Sequence, residues 1–316
     1  MTTSTATLLR QAAAEAAGAQ QYPTGALYVV ATPIGNLADL TLRAIHVLGL
    51  VDAIACEDTR HSAGLLRQLG IAKPLLALHA HNERAASGRV LERLARGERV
   101  ACITDAGTPA ISDPGAMLVA AVKAAGHRVT PIPGASSAIA ALSVAGADES
   151  PGFRFVGFLP ARGAERERAL ARLLGDEGTT AVLFEAPHRI GALAASMGAR
   201  APSRRLTVCR ELTKQFESVV TLTADAWPAW MAADEHRARG EFVVVVHAAR
   251  RQESADDDAS HHDAMLRTLL AALPLRQAAA IAADLSGAAK NRLYARALAL
   301  KGEGEGDGAA PDGEPS

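Results

Sequence analysis

Aromatic side chains make up only 3% of this 316-residue chain, cysteines number three, and no long apolar run occurs. Each scarcity excludes something. No uninterrupted apolar stretch reaches the roughly 18 residues of a membrane-spanning helix, so no membrane association is expected. Cys56, Cys102 and Cys209 lie far apart, each beside a β-like apolar run and without CxxC spacing. Three such cysteines suggest reduced core thiols in a cytoplasmic protein rather than a disulfide framework or zinc site. No HExxH and no Cys/His cluster is present, so the sequence offers no metal-site motif and leaves open whether a metal ion assists. Residues 1–22 lack a charged region followed by an apolar one, which argues against a secretory signal. Phosphate cradles are missing too. There is no GxxxxGK[ST], and the turn after the first strand carries one glycine where a dinucleotide fold would need GxGxxG.

What is present is an alternating α/β pattern. The net charge is −1 and 49% of residues are hydrophobic, but 70 of them are alanine, so large apolar surface is less abundant than that share suggests. Such a balance excludes a polycation and still permits a local basic face. Strands are predicted at 26–31, 51–56, 74–78, 99–104 and 128–132. Helices are predicted at 40–48, 61–69, 83–96, 116–125 and 136–144. This order implies a parallel sheet covered on both faces, with ligands at the carboxyl ends of its strands. Beyond a boundary near 146–152 the pattern becomes mixed, with strands near 154–157, 180–184, 205–210, 217–222 and 241–247.

The expected organisation has six parts. Residues 1–24 form a disordered or weakly helical extension, 25–148 an N-terminal α/β domain, and 149–249 a second α/β domain with a mixed sheet. Residues 250–263 are a polar linker, in which His261 and His262 read as exposed bystanders. Residues 264–301 form a basic helix-turn-helix-like extension, broken at Leu273-Pro274 and Ser286-Gly287. Its second helix should bury Ala278, Ile281, Ala282 and Leu285, and its third Leu293, Ala297 and Leu298. The tail 302–316 should be disordered.

Chemistry gathers in loops at strand ends. The first strand is followed by Thr32-Pro33-Ile34-Gly35-Asn36-Leu37, and the second by Cys56-Glu57-Asp58-Thr59-Arg60-His61. The fourth is followed by Thr104-Asp105-Ala106-Gly107-Thr108-Pro109-Ala110-Ile111-Ser112-Asp113-Pro114-Gly115. Its carboxylates and hydroxyls can accept hydrogen bonds, its glycines admit close approach, and its prolines limit the entropy lost on ordering. Ser112 or Asp113 would cap the helix that follows. Pro133-Gly134-Ala135-Ser136-Ser137 starts a further helix in the same layer.

These strings, with GFLP (157–160), FEAPHRI (184–190) and CRELTKQFE (209–217), are collinear over about residues 25–248. Together they resemble the ribosomal RNA small subunit methyltransferase I family of the tetrapyrrole-methylase superfamily. The resemblance implies S-adenosylmethionine as cofactor and 2′-O-methylation of a cytidine ribose in the decoding region of 16S rRNA, within the 30S subunit. It also implies two α/β domains, a homodimer, and a cofactor folded between the domains. A cofactor without phosphates agrees with the missing phosphate cradles.

The expected cofactor-binding residues are Pro33, Ile34, Gly35, Asp105, Ala106, Gly107, Thr108, Ser112, Asp113, Pro114, Gly134, Ser136 and Ser137. The sulfonium and amino groups of the cofactor favour carboxylate surroundings. A ribose hydroxyl must lose a proton, so a base or polarising cation is needed. Glu57, Asp58, Arg189, Glu211 and Lys214 are the catalytic candidates, with Glu185 a further possible base. Arg60 and Arg210, and Lys290, Arg292 and Arg296 of the extension, are the candidates for RNA phosphates. Competing readings are a tetrapyrrole C-methyltransferase on the same fold and a noncatalytic RNA-binding assembly factor. The basic extension weighs against the first, and the set of cofactor-type loops against the second.

Overall fold

A computed structural model describes residues 4–79, 82–147, 150, 152–249 and 262–305. The first sheet contains β1 (Ala26–Val30), β2 (Ala53–Cys56), β3 (Leu75–Ala77), β4 (Val100–Ile103) and β5 (Arg128–Ile132). All its pairings are parallel, in the order β3-β2-β4-β1-β5. Successive residues of a strand point to opposite faces, so the sheet feeds two cores. Tyr28 and Ile54 join α2 (Leu42–Leu50) and α3 (Thr59–Gln68) on one face. Leu27 and Cys102 join α4 (Glu83–Ala95) and α5 (Ala116–Ala124) on the other. The expected α/β class and parallel first sheet are observed.

The N-terminal extension departs from expectation. Residues Thr5–Ala17 form a regular helix, α1, capped by the Ser4 hydroxyl. Ala13 and Ala17 are buried, and Leu9 and Tyr22 pack into the first core. Beyond the helix, Tyr22 Oη donates to Ala17 O at 3.0 Å and Arg99 Nε donates to Tyr22 O at 3.0 Å. The packing face is built largely of alanine. Alanine propagates helix well but leaves little hydrophobic periodicity to read.

The second sheet contains β6 (Phe153–Phe158), β7 (Thr180–Glu185), β8 (Arg205–Arg210), β9 (Ser218–Thr223) and β10 (Phe242–Val246). Its order is β6-β7-β10-β8-β9, with β6–β7 parallel and the remaining pairs antiparallel. The expected mixed sheet is thus observed. One face packs on α7 (Gly163–Gly175), α8 (Pro187–Arg200) and α9 (Trp227–Ala232), with Met197 buried there as a core residue. The opposite face receives Ala138, Ala141 and Ala145 of α6 (Ser137–Ala145) against Val182, Cys209, Val243 and Val245. Small side chains allow that close approach, so the last helix of the first domain is welded to the second.

All three cysteines are buried free thiols, and burial pushes Cys102 and Cys209 up to about 12. No described helix is long and apolar enough to cross a membrane.

Residues after 249 form a separate unit of three helices, α10 (Asp263–Leu270), α11 (Leu275–Ser286) and α12 (Lys290–Glu305). The helix breaks fall where expected, and Gly287 takes a left-handed φ of 71°. Three details differ. Helix α10 begins at Asp263, inside the expected linker, and the Asp263 carboxylate accepts from Arg296 at 2.8 and 2.6 Å. Helix α12 continues through Glu305, past the expected end at 301. The α11 core face is Ala278, Ala279 and Ala282, leaving Ile281 and Leu285 exposed, and Leu298 of α12 is exposed as well. The expected linker residues 250–261 and tail residues 306–316 lie outside the described residues.

Candidate active site

Strands β1 and β4 are neighbours whose connections cross on opposite faces of the sheet, from β1 past β4 to β2 and from β4 past β1 to β5. Loops that leave adjacent strands for opposite faces border a crevice at their carboxyl ends. The two loops there are pinned together. Thr32 N donates to Gly107 O at 2.9 Å, Gly107 N returns a bond to Thr32 O at 3.1 Å, and Thr32 Oγ1 donates to Thr104 O at 3.0 Å. Gly107 has φ 86°, a conformation that strains any L side chain. Thr108 Oγ1 donates to Ala135 O at 3.0 Å, tying this loop to the helix start after β5.

The helix after the loop is not capped by Ser112 or Asp113. Instead Glu83, reaching across from α4, accepts from the backbone N–H groups of Gly115 and Met117, both at 2.9 Å, and of Leu118 at 3.3 Å. A buried carboxylate on a helix N-terminus satisfies orphan donors and complements the helix dipole. This partner is distant in sequence, so no local capping signal announced it.

Carboxylates gather at the ends of β2 and β4. Thr104 Oγ1 donates to Glu57 Oε2 at 3.0 Å, and Asp58 N donates to Asp105 Oδ1 at 3.3 Å. Burial raises the Glu57 carboxyl, and neighbouring Asp113 and Asp105 add to the effect. Burial likewise raises Asp113. Asp58 behaves oppositely, because hydrogen bonds from Arg60 lower it to about 2.

Two cavities flank this crevice. One, of about 340 Å³, has apolar walls from Phe158, Phe184, Leu212 and Val243, with Ser112, Asp113, Ser137 and Glu185 among its polar groups. The other, of about 580 Å³, is lined by Pro33, Gly35, Arg60, His61, Gln68, Asp105 and Lys214, among others. Ile34, Ala106 and Glu241 line both and so mark the junction.

The β8–β9 turn brings the second domain to this junction. Lys214 Nζ donates to Glu211 Oε1 at 2.9 Å and to Glu241 Oε2 at 3.0 Å. Burial alone would lower Lys214, but these two carboxylates reverse the effect and hold it above its ordinary value. Glu211 and Thr213 are non-glycine residues at φ 52° and 66°, so the turn is strained. The turn is accommodated by two glycines. A Cβ at Gly35 would lie 2.4 Å from Lys214 Cγ. At Gly240, with φ 92°, it would lie 2.5 Å from Glu211 Cγ and Oε1.

Among the expected cofactor residues, Ile34, Ala106, Ser112, Asp113 and Ser137 line the apolar cavity. Pro33, Gly35 and Asp105 line the polar one. Gly107, Thr108, Pro114, Gly134 and Ser136 line neither, and the first two act in holding loops together. Of the catalytic candidates, Lys214 lines the polar cavity, whereas Glu57, Asp58, Arg189 and Glu211 line neither. Arg189 Nε sits 2.6 Å from buried Glu185, which also accepts from Arg166 Nη2 at 2.9 Å, so both arginines are occupied there.

Arg60 is exposed beside the polar cavity, and Arg210 lies beyond it on the far side of the β8–β9 turn. Lys290 and Arg292 open α12 in the separate unit, where Arg296 is committed to Asp263. Sequence reasoning missed Glu241, Phe158 and Phe184 as lining residues. Glu241 had one available signal, a lone carboxylate abutting the buried run Phe242–Val246.

Residues 26–228 match the family described as Tetrapyrrole (Corrin/Porphyrin) Methylases, and residues 255–301 match the RsmI C-terminal HTH domain. The chain is 46% identical over 280 residues to "Ribosomal RNA small subunit methyltransferase I" of Pseudomonas aeruginosa, covering 88% of this chain and 99% of that one. It is also 46% identical over 272 residues to the protein of that name from Xylella fastidiosa, covering 85% and 98%. Among solved structures, diphthine synthase shares the fold with a TM-score of 0.54 at 15% identity, covering 70% of this chain and 90% of that one.

Proposed function

The chain belongs to the ribosomal RNA small subunit methyltransferase I family, and from that premise we propose that it is an S-adenosylmethionine-dependent methyltransferase of small-subunit rRNA. In this reading the acceptor is the 2′-oxygen of a cytidine ribose in the decoding region of 16S rRNA, presented by the 30S particle in the cytoplasm to a homodimeric enzyme.

One observation carries the reading: a cavity walled by aromatic rings and a cavity holding cationic side chains meet at Ile34, Ala106 and Glu241. The apolar one suits S-adenosylmethionine. Phe158, Phe184, Leu212 and Val243 would wall its adenosine, Ser112 and Ser137 would supply hydrogen bonds, and Asp113 would face its cationic end. When bound, the cofactor supplies an already activated methyl group on its sulfonium sulfur.

The protein's own task is then alignment and proton handling. Arg60 and Lys214 provide the polar cavity with cations for a phosphate, and Asp105 and Gln68 provide hydrogen-bond partners for the nucleotide. Lys214, kept protonated by its two carboxylates, is ill-suited as a base and serves to position Glu241. Glu241, lining both cavities, is the carboxylate we assign to take the hydroxyl proton.

The test begins with calorimetry of the chain with S-adenosylmethionine. Tritium transfer from the labelled cofactor to unmodified 30S particles and to uroporphyrinogen follows. Label should enter 16S rRNA as a ribose-methylated cytidine, and Glu241→Gln should lower kcat by about 10²-fold with cofactor affinity retained. Transfer to uroporphyrinogen, to a base carbon, or to neither substrate overturns the reading.

A further inference from the structure

On the far side of the β8–β9 turn lies a third cavity, a groove of about 840 Å³, larger than either cavity of the site. It starts where the site ends. Glu211 and Gly240 line it, while Lys214 and Glu241, their partner and neighbour, line the polar cavity. Its remaining walls include Arg210, Phe216, Trp230, Arg237 and Arg239.

The chemistry of those walls is specific. Phe216 is 67% exposed, so its ring face is open to a ligand. Trp230 is half-buried and carries the Arg237 guanidinium 4.7 Å from its ring centroid. Arg237 Nη1 donates to Trp230 O at 2.7 Å. Arg210 donates to two carbonyls, Arg239 O at 2.7 Å and Phe216 O at 3.1 Å. Both guanidinium planes are therefore fixed by neutral acceptors, with no carboxylate ion pair to either among the described residues. Three acids also line the groove, and each accepts its hydrogen bond from a group other than these two guanidinium groups. Glu211 holds Lys214, Glu217 accepts from Thr213 N at 2.6 Å, and Asp234 accepts from His236 N at 2.9 Å. Among the described residues Arg239 pairs with exposed Glu235, an interaction weak enough to yield to a phosphate.

Flat aromatic faces interleaved with rigid, charge-retaining guanidinium groups suit unpaired bases stacked along a phosphate backbone. We propose that this groove is a second RNA-binding site, which carries the single-stranded nucleotides flanking the methylated one. The proposal rests on the rRNA-methyltransferase reading above and extends it. The strand passes over the 211–217 turn, with the target nucleotide on the Lys214 side and its neighbours on the Phe216 side. The turn thereby separates the nucleotide that reacts from those that are only held.

The experiment uses the full chain and unmodified 30S particles. Phe216→Ala should raise KM for 30S about fivefold or more, the lower range for loss of one stacked base, while Phe216→Tyr stays near wild type. Arg237→Ala should also raise KM and flatten its dependence on salt. Calorimetry with S-adenosylmethionine reports whether each variant is folded. Should Phe216→Ala fail to fold, Phe216→Leu, which keeps bulk but removes the aromatic face, gives the same reading. A photoreactive benzoyl-phenylalanine in place of Phe216 should cross-link to 16S rRNA. Cross-links to ribosomal protein alone, or wild-type KM in both alanine variants, overturn the groove proposal. Wild-type enzyme that fails to methylate 30S at all overturns the underlying reading instead.

Discussion

Lys214 depends on what Gly35 lacks. The lysine stem lies so close over that backbone that a methyl group at position 35 would sit 2.4 Å from Cγ and 3.0 Å from Cε. Gly35→Ala should therefore push aside the Lys214 stem and the Thr213 hydroxyl, 3.0 Å away, and displace the ammonium from Glu211 and Glu241. Misplacing the base by about 1 Å through the group that positions it can lower turnover about 10²-fold. The expected result is a fall in kcat of that order with little change in Tm. Adding Lys214→Ala to Gly35→Ala should lower kcat hardly further, since the two changes act on one interaction. Wild-type kcat in Gly35→Ala would mean the position of Lys214 does not matter. Both residues stood in strings that were legible in the sequence, TPIGNL and CRELTKQFE. Their meeting was not legible, because no periodicity encodes contact between a first-domain loop and a second-domain turn. Glu241 escaped notice for a related reason. As the residue before a run of buried valines it reads as a strand end, and only the tertiary fold brings it to the cavities' junction.

Helix α5 shows how elements carry the site. Its N-terminus follows directly on the loop that lines both cavities, and Glu83 of α4 accepts three of its backbone donors. Glu83→Ala removes a charge-assisted acceptor and leaves buried N–H groups unpaired. The loss should be about 1.5–3 kcal/mol, read as a Tm lower by several degrees. Cofactor affinity should fall as well, because the loop loses its downstream anchor. Unchanged Tm would mean water replaces the carboxylate. Strands and helices of the first domain were legible because their large apolar residues repeat with the right period. The contact face of α1 was not, since buried alanines leave no such trace. The same holds in the C-terminal unit, where the buried stripe of α11 is Ala278, Ala279 and Ala282 rather than the larger Ile281 and Leu285.

That unit also has a built-in acid sensitivity. Hydrogen bonds from Arg296 hold the Asp263 carboxyl below its ordinary value. A carboxyl depressed in the folded state contributes stability above its unfolded pKa of about 3.9, and that contribution is lost as pH falls through the folded value. Hydrogen-exchange protection across 263–305 should thus decline below about pH 4, and Asp263→Asn should remove much of that dependence. A profile identical in both proteins would assign the pair no role in stability.

At the scale of the whole molecule, the chain divides at Ala249 into a unit holding both sheets, the three cavities described above and four cores, and a unit with one small core of its own. Everything proposed for cofactor binding lies in the first. The second contributes basic residues, but fewer than its sequence promised, since the charge of Arg296 is matched by Asp263. Lys290 and Arg292, at the start of α12, are the residues we propose for RNA phosphates. Their contribution should be electrostatic and therefore salt-dependent. A chain ending at 249 should bind S-adenosylmethionine with nearly unchanged affinity, show a higher KM for 30S particles, and lose part of the salt dependence of that KM. Lys290→Ala with Arg292→Ala in the full chain should reproduce part of the change. Arg296→Ala should act differently, lowering the stability of the three helices by breaking the pair that joins α10 to α12. If the shortened chain matches the full one on 30S at every salt concentration, the helices serve another purpose, and the groove beside the 211–217 turn must carry the RNA contacts without them.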